Sequence, residues 1–125
     1  MITHAILRAA QKSSGYDFLS LGEYLLPLDL SVIIHVASRT TFMTQGLLTL
    51  YEHDLLSWLD SAALESFACN FDPSCSQQGG SCHTCTHLPL GCETHNHGLS
   101  RAYLHGGQVS GVSGHSLHVR KGFWT

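Results

Sequence analysis

All five cysteines of this 125-residue chain lie within one short window, between residues 69 and 92. Their spacing is C-x5-C-x6-C-x2-C-x6-C, at positions Cys69, Cys75, Cys82, Cys85 and Cys92. Thiolates repel one another and bind a soft dication, and tetrahedral zinc is the usual ion for four of them. The sequence therefore predicts a zinc-stabilised loop as its main chemical feature.

The choice of four ligands among five thiols depends on spacing. Cys82 and Cys85 are two residues apart, so both sulfurs can converge on one ion. We expect the ligand set Cys75, Cys82, Cys85 and Cys92, with Cys69 as the alternative ligand that would leave Cys75 free. Loop histidines are possible substitutes, namely His83, His87, His95 and His97. Free thiols, disulfides and an iron–sulfur cluster are the other readings of the same pattern.

Composition sets the class of protein. The length suits one domain, and a charged fraction of 12% with a net charge of −3 gives no electrostatic case for strong nucleic-acid binding. We see neither a secretory signal nor an apolar stretch near the ~20 residues that a membrane span needs. The chain is therefore expected in the cytoplasm, where clustered cysteines bind metal more often than they pair.

Apolar periodicity predicts helices on both sides of one strand. A helix should begin at Ile2 and end before Gly15, and residues 17–26 should form a second short helix or an apolar turn. Residues 30–37 are β-branched and apolar on both faces, which favours a central, covered strand. A helix over 52–67 should bury a stripe that includes Leu55, Leu59 and Phe67.

The C-terminal third gives weaker signals. Asn96 could cap a helix that runs to Leu104, and the Gly/His-rich residues after it favour a flexible tail with one marginal strand at most. The prediction is a small α+β domain with short helices, one main buried strand and a four-cysteine loop. The zinc-binding domain should span residues 1–107, with a tail at 108–125.

Several motifs together resemble a known family. They are Cys69-Asn-Phe-Asp-Pro-Ser-Cys75, Cys82-His-Thr-Cys85, Leu-Pro-Leu-Gly-Cys92-Glu and Asn96-x-x-Leu99-x-Arg101. The set is similar to the MZB zinc-binding domain of MrfA-type DNA-repair helicases and of DrmB, a helicase-associated protein of the DISARM phage-defence system. The DrmB branch is the more similar, with upstream likeness at His4-Ala-Ile-Leu, Ser14-Gly15-Tyr16-Asp17 and Ile33-Ile34-His35-Val36-Ala37.

The resemblance implies a structural zinc module that serves as an accessory or interaction domain of a DNA helicase or phage-defence complex. It implies a helicase or defence-complex subunit as the partner, with DNA as a further candidate partner, and neither a membrane nor a small-molecule substrate. The chain departs from the family where Ser100 replaces an acidic residue and in its Gly/His tail. It has no G-x-x-x-x-G-K-[ST] loop, so it carries no helicase motor of its own.

The residues also bear on catalysis and on a second function. An all-thiolate zinc site is closed and a poor Lewis acid, and no His-x-Glu deaminase signature is present, so we expect no enzyme activity. The alternative function is a zinc module that binds single-stranded DNA. Its candidate contacts to a partner or nucleic acid are Arg101, Arg120 and Lys121, the last two beside terminal aromatic residues.

Overall fold

The computed structural model describes residues 1–17, 19–37, 44–75, 80–110 and 114–125. Four α-helices, one 3-10 turn and two antiparallel hairpins make up this part of the chain. In chain order they are α1 (Ile2–Ser14), β1 (Leu21–Leu26), the 3-10 turn Pro27–Asp29, β2 (Ser31–Val36), α2 (Thr44–His53), α3 (Leu55–Phe67), α4 (Ala102–His105), β3 (Gly107–Ser110) and β4 (Ser116–Val119). The predicted α+β class is confirmed. Within the described ranges, no helix combines the length and apolarity needed to cross a bilayer.

Helices α1 and α3 pack together and form the centre of the core. Buried alanines on both helices, Ala9 and Ala62 among them, allow the two backbones to approach closely. The Trp58 indole Nε1 donates to the Ile6 carbonyl at 2.8 Å and so links the helices. The predicted first helix is confirmed, and Gly15 ends it in the left-handed conformation at φ 69°.

Most of the predicted helix over 52–67 is present as α3, although residues 52 and 53 belong to α2. The buried face agrees with the predicted stripe only in part, since Leu55 and Leu59 are half-buried. Trp58, Ala62 and Ser66 are its buried residues, whereas Phe67 is 70% exposed. Both stripes satisfy a helical period, so periodicity could not choose between them. The large Trp58 ring lies outside the predicted stripe and is buried against α1, where its N–H donates to a backbone carbonyl.

Residues 21–36 form a hairpin. The expectation of a helix or an apolar turn across 17–26 is wrong, because β1 pairs with β2 in antiparallel register from Leu21↔Val36 to Leu26↔Ser31. The predicted strand is present as β2, but it belongs to a two-stranded sheet, and Ile33 is half exposed. An apolar, β-branched run favours an extended strand, but the run alone does not determine whether another layer packs over it.

The segment after the cysteines is less helical than expected. Only Ala102–His105 is helical, and Asn96 lies in a turn at φ 61° instead of capping a helix. Its side-chain amide pairs with the backbone of Leu88, accepting from the N–H at 2.8 Å and donating to the carbonyl at 2.7 Å. Asn96 therefore fastens one loop to another.

The C-terminal residues form a second hairpin where a flexible tail with one marginal strand was expected. Strand β3 pairs with β4 from Gly107↔Val119 to Ser110↔Ser116, so the expected boundary after residue 107 falls at the start of β3. Beyond β4, the N–H groups of Phe123 and Trp124 donate to the carbonyls of Tyr103 and Leu104 at 3.0 and 2.9 Å. The end of the chain is thus tied to α4 by backbone hydrogen bonds that the composition did not predict.

Candidate metal centre

Four thiols lie close together next to the C-terminal end of α3. The sulfurs of Cys69, Cys75, Cys82 and Cys85 all lie within 4.8 Å of one another. Three of the separations are 3.8 Å (Cys69–Cys82), 3.6 Å (Cys75–Cys85) and 3.3 Å (Cys82–Cys85). A tetrahedral ion with Zn–S bonds of about 2.3 Å needs sulfurs about 3.8 Å apart. All five thiols are free, and this cluster could hold a metal ion.

Three local structures bring the sulfurs together. Cys69 follows α3 directly, two residues after its last residue, Phe67. Cys75 lies in a turn in which its N–H donates to the Asp72 carbonyl at 3.1 Å, and the Asp72 carboxylate holds that turn by accepting from Ser74. Cys82 and Cys85 share a tight turn that is closed by the Cys85 N–H to the Cys82 carbonyl at 3.3 Å.

Backbone N–H groups point at two of the sulfurs. The Asp72 N–H donates to Cys69 Sγ at 3.4 Å, and the Cys82 N–H donates to Cys85 Sγ at the same distance. Hydrogen bonds of this kind favour the thiolate form and are the outer-shell contacts that orient metal ligands. The turns therefore supply both the sulfurs and part of their charge compensation.

Arg101 places a positive charge beside the thiol cluster. Its Nη1 donates to Cys75 Sγ at 3.2 Å and its Nε donates to the Ser66 carbonyl at 2.7 Å. Burial would lower the pKa of this guanidinium, but the contacts with Cys75 and Cys85 outweigh burial and raise it. Four thiolates and a dication carry a net charge of −2, so a buried cation beside them lowers the cost of burying the site.

The four thiols differ in acidity. Burial opposes ionisation of Cys69, but the N–H groups of Phe71 and Asp72 and the neighbouring thiols outweigh it and lower its pKa to about 6. Burial dominates at Cys75 and raises its pKa to about 12, although Arg101 acts in the opposite direction. A bound dication would favour the thiolate at every position, because metal ligation requires the deprotonated sulfur.

The structure differs from the expected ligand set at one position. Cys75, Cys82 and Cys85 lie in the cluster as expected, but Cys69 completes it in place of Cys92, which lies beside His4 and Glu23 instead. Five residues separate Cys69 from Cys75 and six separate Cys85 from Cys92, so spacing alone could not choose between Cys69 and Cys92. The pairing of Asn96 with Leu88 helps to fix the loop that carries Cys92.

The structure also shows where the predicted alternative histidine ligands and the predicted partner-contact residues lie. Among the described residues, no histidine joins the four thiols; His83, His95 and His97 are exposed, and His87 is half-buried. Arg101 is only 8% exposed and faces the thiols, which does not suit the expected contact with a partner or nucleic acid. Arg120 and Lys121 are exposed, as such a contact requires.

Sequence reasoning missed two functional contacts. It did not place Arg101 on a sulfur, and it did not associate Cys92 with His4 and Glu23. Arg101, the first arginine after the cysteine window, was a usable signal for the first contact. Comparison of the chain with protein-family models, curated proteins and solved structures found no match.

Proposed function

We propose that this chain is a structural zinc-binding module and not an enzyme. The observation that best supports this proposal is the cluster of four sulfurs, whose separations are near those in a zinc tetrahedron. One of these sulfurs also accepts a hydrogen bond from a buried arginine. An all-thiolate site leaves no open coordination position for a substrate. Sulfur separations of 3.3–3.8 Å suit one central ion better than a multinuclear iron–sulfur cluster, which needs space for its own inorganic sulfides.

Zinc at this site would cross-link segments that few apolar contacts join. Cys69 belongs to the end of α3, while Cys82 and Cys85 belong to a turn 13 or more residues later. The exposed Phe71 and Leu90 contribute little core to this part of the chain. Since structural zinc binding is worth ~10 kcal/mol or more, the ion would supply what the sparse packing does not.

The decisive test uses cobalt in place of zinc. Four thiolates around Co²⁺ give strong sulfur-to-metal charge-transfer absorption, and Cys82→Ser should weaken it and release the ion. Cys92→Ser is the comparison variant: its sulfur lies outside the four-thiol cluster, so at one equivalent of Co²⁺ the four-thiolate absorption should persist. Absorption that depends on Cys92 but not on Cys69 would contradict the proposed ligand set.

The proposed setting of the module is an accessory or interaction domain of a DNA helicase or phage-defence complex. Its support is the MZB-like motif set from Cys69 to Arg101, together with apolar side chains that the first hairpin leaves uncovered. Leu28 and Leu30 are 100% and 94% exposed at the hairpin turn. Uncovered apolar side chains grouped on one surface are typical of protein-interaction sites.

This setting can be tested by co-expressing the chain with the helicase or defence subunit of its own genome. Co-elution in size-exclusion chromatography is expected, and Leu28→Ser with Leu30→Ser should abolish it without changing the metal content. Phe71→Ser, which changes an exposed apolar residue elsewhere on the surface, is the control. Separate elution of wild-type chain and subunit would contradict the setting while leaving the zinc site intact.

Binding of single-stranded DNA is the second candidate function, and the C-terminal residues favour it. Arg120 and Lys121 are exposed beside Phe123, whose ring is also exposed and packs edge-on to Trp124 at 4.8 Å. Such a cation–aromatic group could contact phosphate and base together. Fluorescence anisotropy with a single-stranded oligonucleotide should then show salt-dependent binding that Lys121→Ala weakens and Lys12→Ala, its charge-matched control, does not.

A further inference from the structure

A second group of metal-ligating side chains lies inside the fold, apart from the four thiols. His4 comes from α1, Glu23 from β1 and Cys92 from the loop that follows the cysteine turns. Their ligand atoms lie within 4.8 Å of one another. His4 is 1% exposed and Glu23 is 3% exposed, so these are among the few buried titratable side chains in the described part of the chain.

The hydrogen bonds of His4 prepare one ring nitrogen for a ligand. Nδ1 lies 2.7 Å from the Thr86 carbonyl oxygen, which can only accept, so Nδ1 carries a proton. Nε2 faces Glu23 Oε1 at 3.0 Å, and because a carboxylate also only accepts, Nε2 donates this hydrogen bond in the metal-free protein, so a metal ion bound to Nε2 would displace that proton. A metal-ligating histidine usually donates its other ring N–H to a backbone carbonyl or a carboxylate, and the contact between Nδ1 and Thr86 matches that arrangement.

Glu23 presents an oxygen that the protein leaves unsatisfied. Oε2 is buried and has no hydrogen bond of standard geometry among the described residues. Burial opposes ionisation, but hydrogen bonding from His4 and Thr3 outweighs it, and the pKa of Glu23 lies below its ordinary value. His4 and the Met1 amino group compensate part of the carboxylate charge, and a bound cation would supply the partner that the buried Oε2 lacks.

Cys92 is prepared in the same way as the thiols of the first cluster. Its sulfur accepts the Asn96 N–H at 3.3 Å, and Asn96 is itself held by the backbone of Leu88. The N–H···S bond fixes the direction of the sulfur. Three elements from distant parts of the sequence thus present a nitrogen, an oxygen and a sulfur to one buried point.

We propose that His4, Glu23 and Cys92 form a second metal site that binds a zinc-class divalent ion. Mixed nitrogen, oxygen and sulfur donors are a set that Zn²⁺ accepts and that Mg²⁺ and Ca²⁺ do not prefer. The ion would replace the direct contact between His4 and Glu23 and would satisfy Oε2. It would fasten α1 and β1 to the Cys92 loop, independently of the four-thiol site. This proposal does not rest on the function proposed above.

Counting ions on the whole chain tests the site. The protein is saturated with Zn²⁺, freed of unbound ion by desalting and measured by native mass spectrometry. Two ions per chain are expected for wild type and for His97→Gln, an exposed histidine control, and one ion for Cys92→Ser and for Glu23→Gln. Cys69→Ser should also hold one ion, since it damages only the four-thiol site. Circular dichroism checks that each variant is folded.

The outcomes separate the two sites. Two ions in wild type that both Cys92→Ser and Glu23→Gln retain would overturn the second site, as would a single ion that only Cys69→Ser loses. No ion in wild type would overturn both sites. If the variants fail to fold, the wild-type imidazole of His4 decides the matter by nitrogen NMR. At saturating Zn²⁺ we expect a proton on Nδ1 alone, and protons on both ring nitrogens would show an imidazolium paired with Glu23 and no metal.

Discussion

The guanidinium of Arg101 donates from Nη1 to the sulfur of Cys75 at 3.2 Å, across 26 residues of sequence. Its Nε holds the last turn of α3 through the Ser66 carbonyl. Arg101, the residue before α4, therefore links the end of α3 to the thiol cluster. Arg101 is held at both ends of its guanidinium, by a backbone carbonyl and by a sulfur.

Arg101→Met should destabilise the fold. The substitution removes a buried cation next to several thiolates, and breaking such a pair costs about 3–5 kcal/mol. Denaturant unfolding of the zinc-loaded protein measures the loss. Arg120→Met is the control and should change the free energy of unfolding by less than about 0.5 kcal/mol, because Arg120 is exposed. Equal effects of the two variants would show that the Cys75 contact contributes nothing.

The serine variants of the five cysteines should fall into two groups by stability as well as by absorption. Replacement of Cys69, Cys75, Cys82 or Cys85 removes a ligand of the four-thiol site, and each should cost several kcal/mol of the ~10 kcal/mol that zinc supplies. Cys92→Ser should keep the four-thiol site and unfold at higher denaturant concentration than the other four. A Cys69→Ser variant as stable as wild type would contradict this grouping.

Chelation of the metal should loosen the cysteine turns before the helices. Residues 69–75 and 80–86 are held mainly by turns and sulfur contacts, whereas α1 and α3 share buried alanines and the Trp58–Ile6 hydrogen bond. Hydrogen exchange after complete removal of the metal should be faster in the turns, with protection retained in α1 and α3. Uniform loss of protection would show that the helices depend on the metal as well.

Trp58→Ala should be among the most damaging single changes outside the cysteines. The indole fills the space between α3 and α1, and its N–H satisfies the Ile6 carbonyl, so its loss should cost about 3–5 kcal/mol. Leu56→Ala, on the same helix but 77% exposed, should cost less than about 1 kcal/mol. Thermal or denaturant unfolding compares the two, and the reverse order would assign the buried face of α3 to Leu56.

Gly122→Ala should release the C-terminal residues from α4. A Cβ at Gly122 would clash with the Leu104 carbonyl group. The hydrogen bonds from Phe123 and Trp124 to α4 would then break. The partly buried Trp124 should become exposed, with red-shifted fluorescence and faster quenching. Lys121→Ala, an exposed neighbour, should leave the fluorescence unchanged.

The features that were predicted correctly depend on interactions between residues that are close together in the sequence. The α1 helix and its Gly15 stop, the α3 helix, an extended β2 and the convergence of Cys82 with Cys85 all depend on neighbours within a few residues. Periodicity, a left-handed glycine and a two-residue spacer report such short-range constraints directly. The α+β class follows from these elements together.

Long-range contacts decided everything else. Whether α3 buries Trp58 or Phe67 depends on α1, and whether β2 is covered depends on what packs over the hairpin. Whether Cys69 or Cys92 joins the thiol cluster depends on the tertiary fold, which places Cys92 beside His4 of α1 and Glu23 of β1. In each case two arrangements satisfy the same local pattern. The free-energy difference between them comes from partners far away in the sequence, so only the tertiary structure could select one.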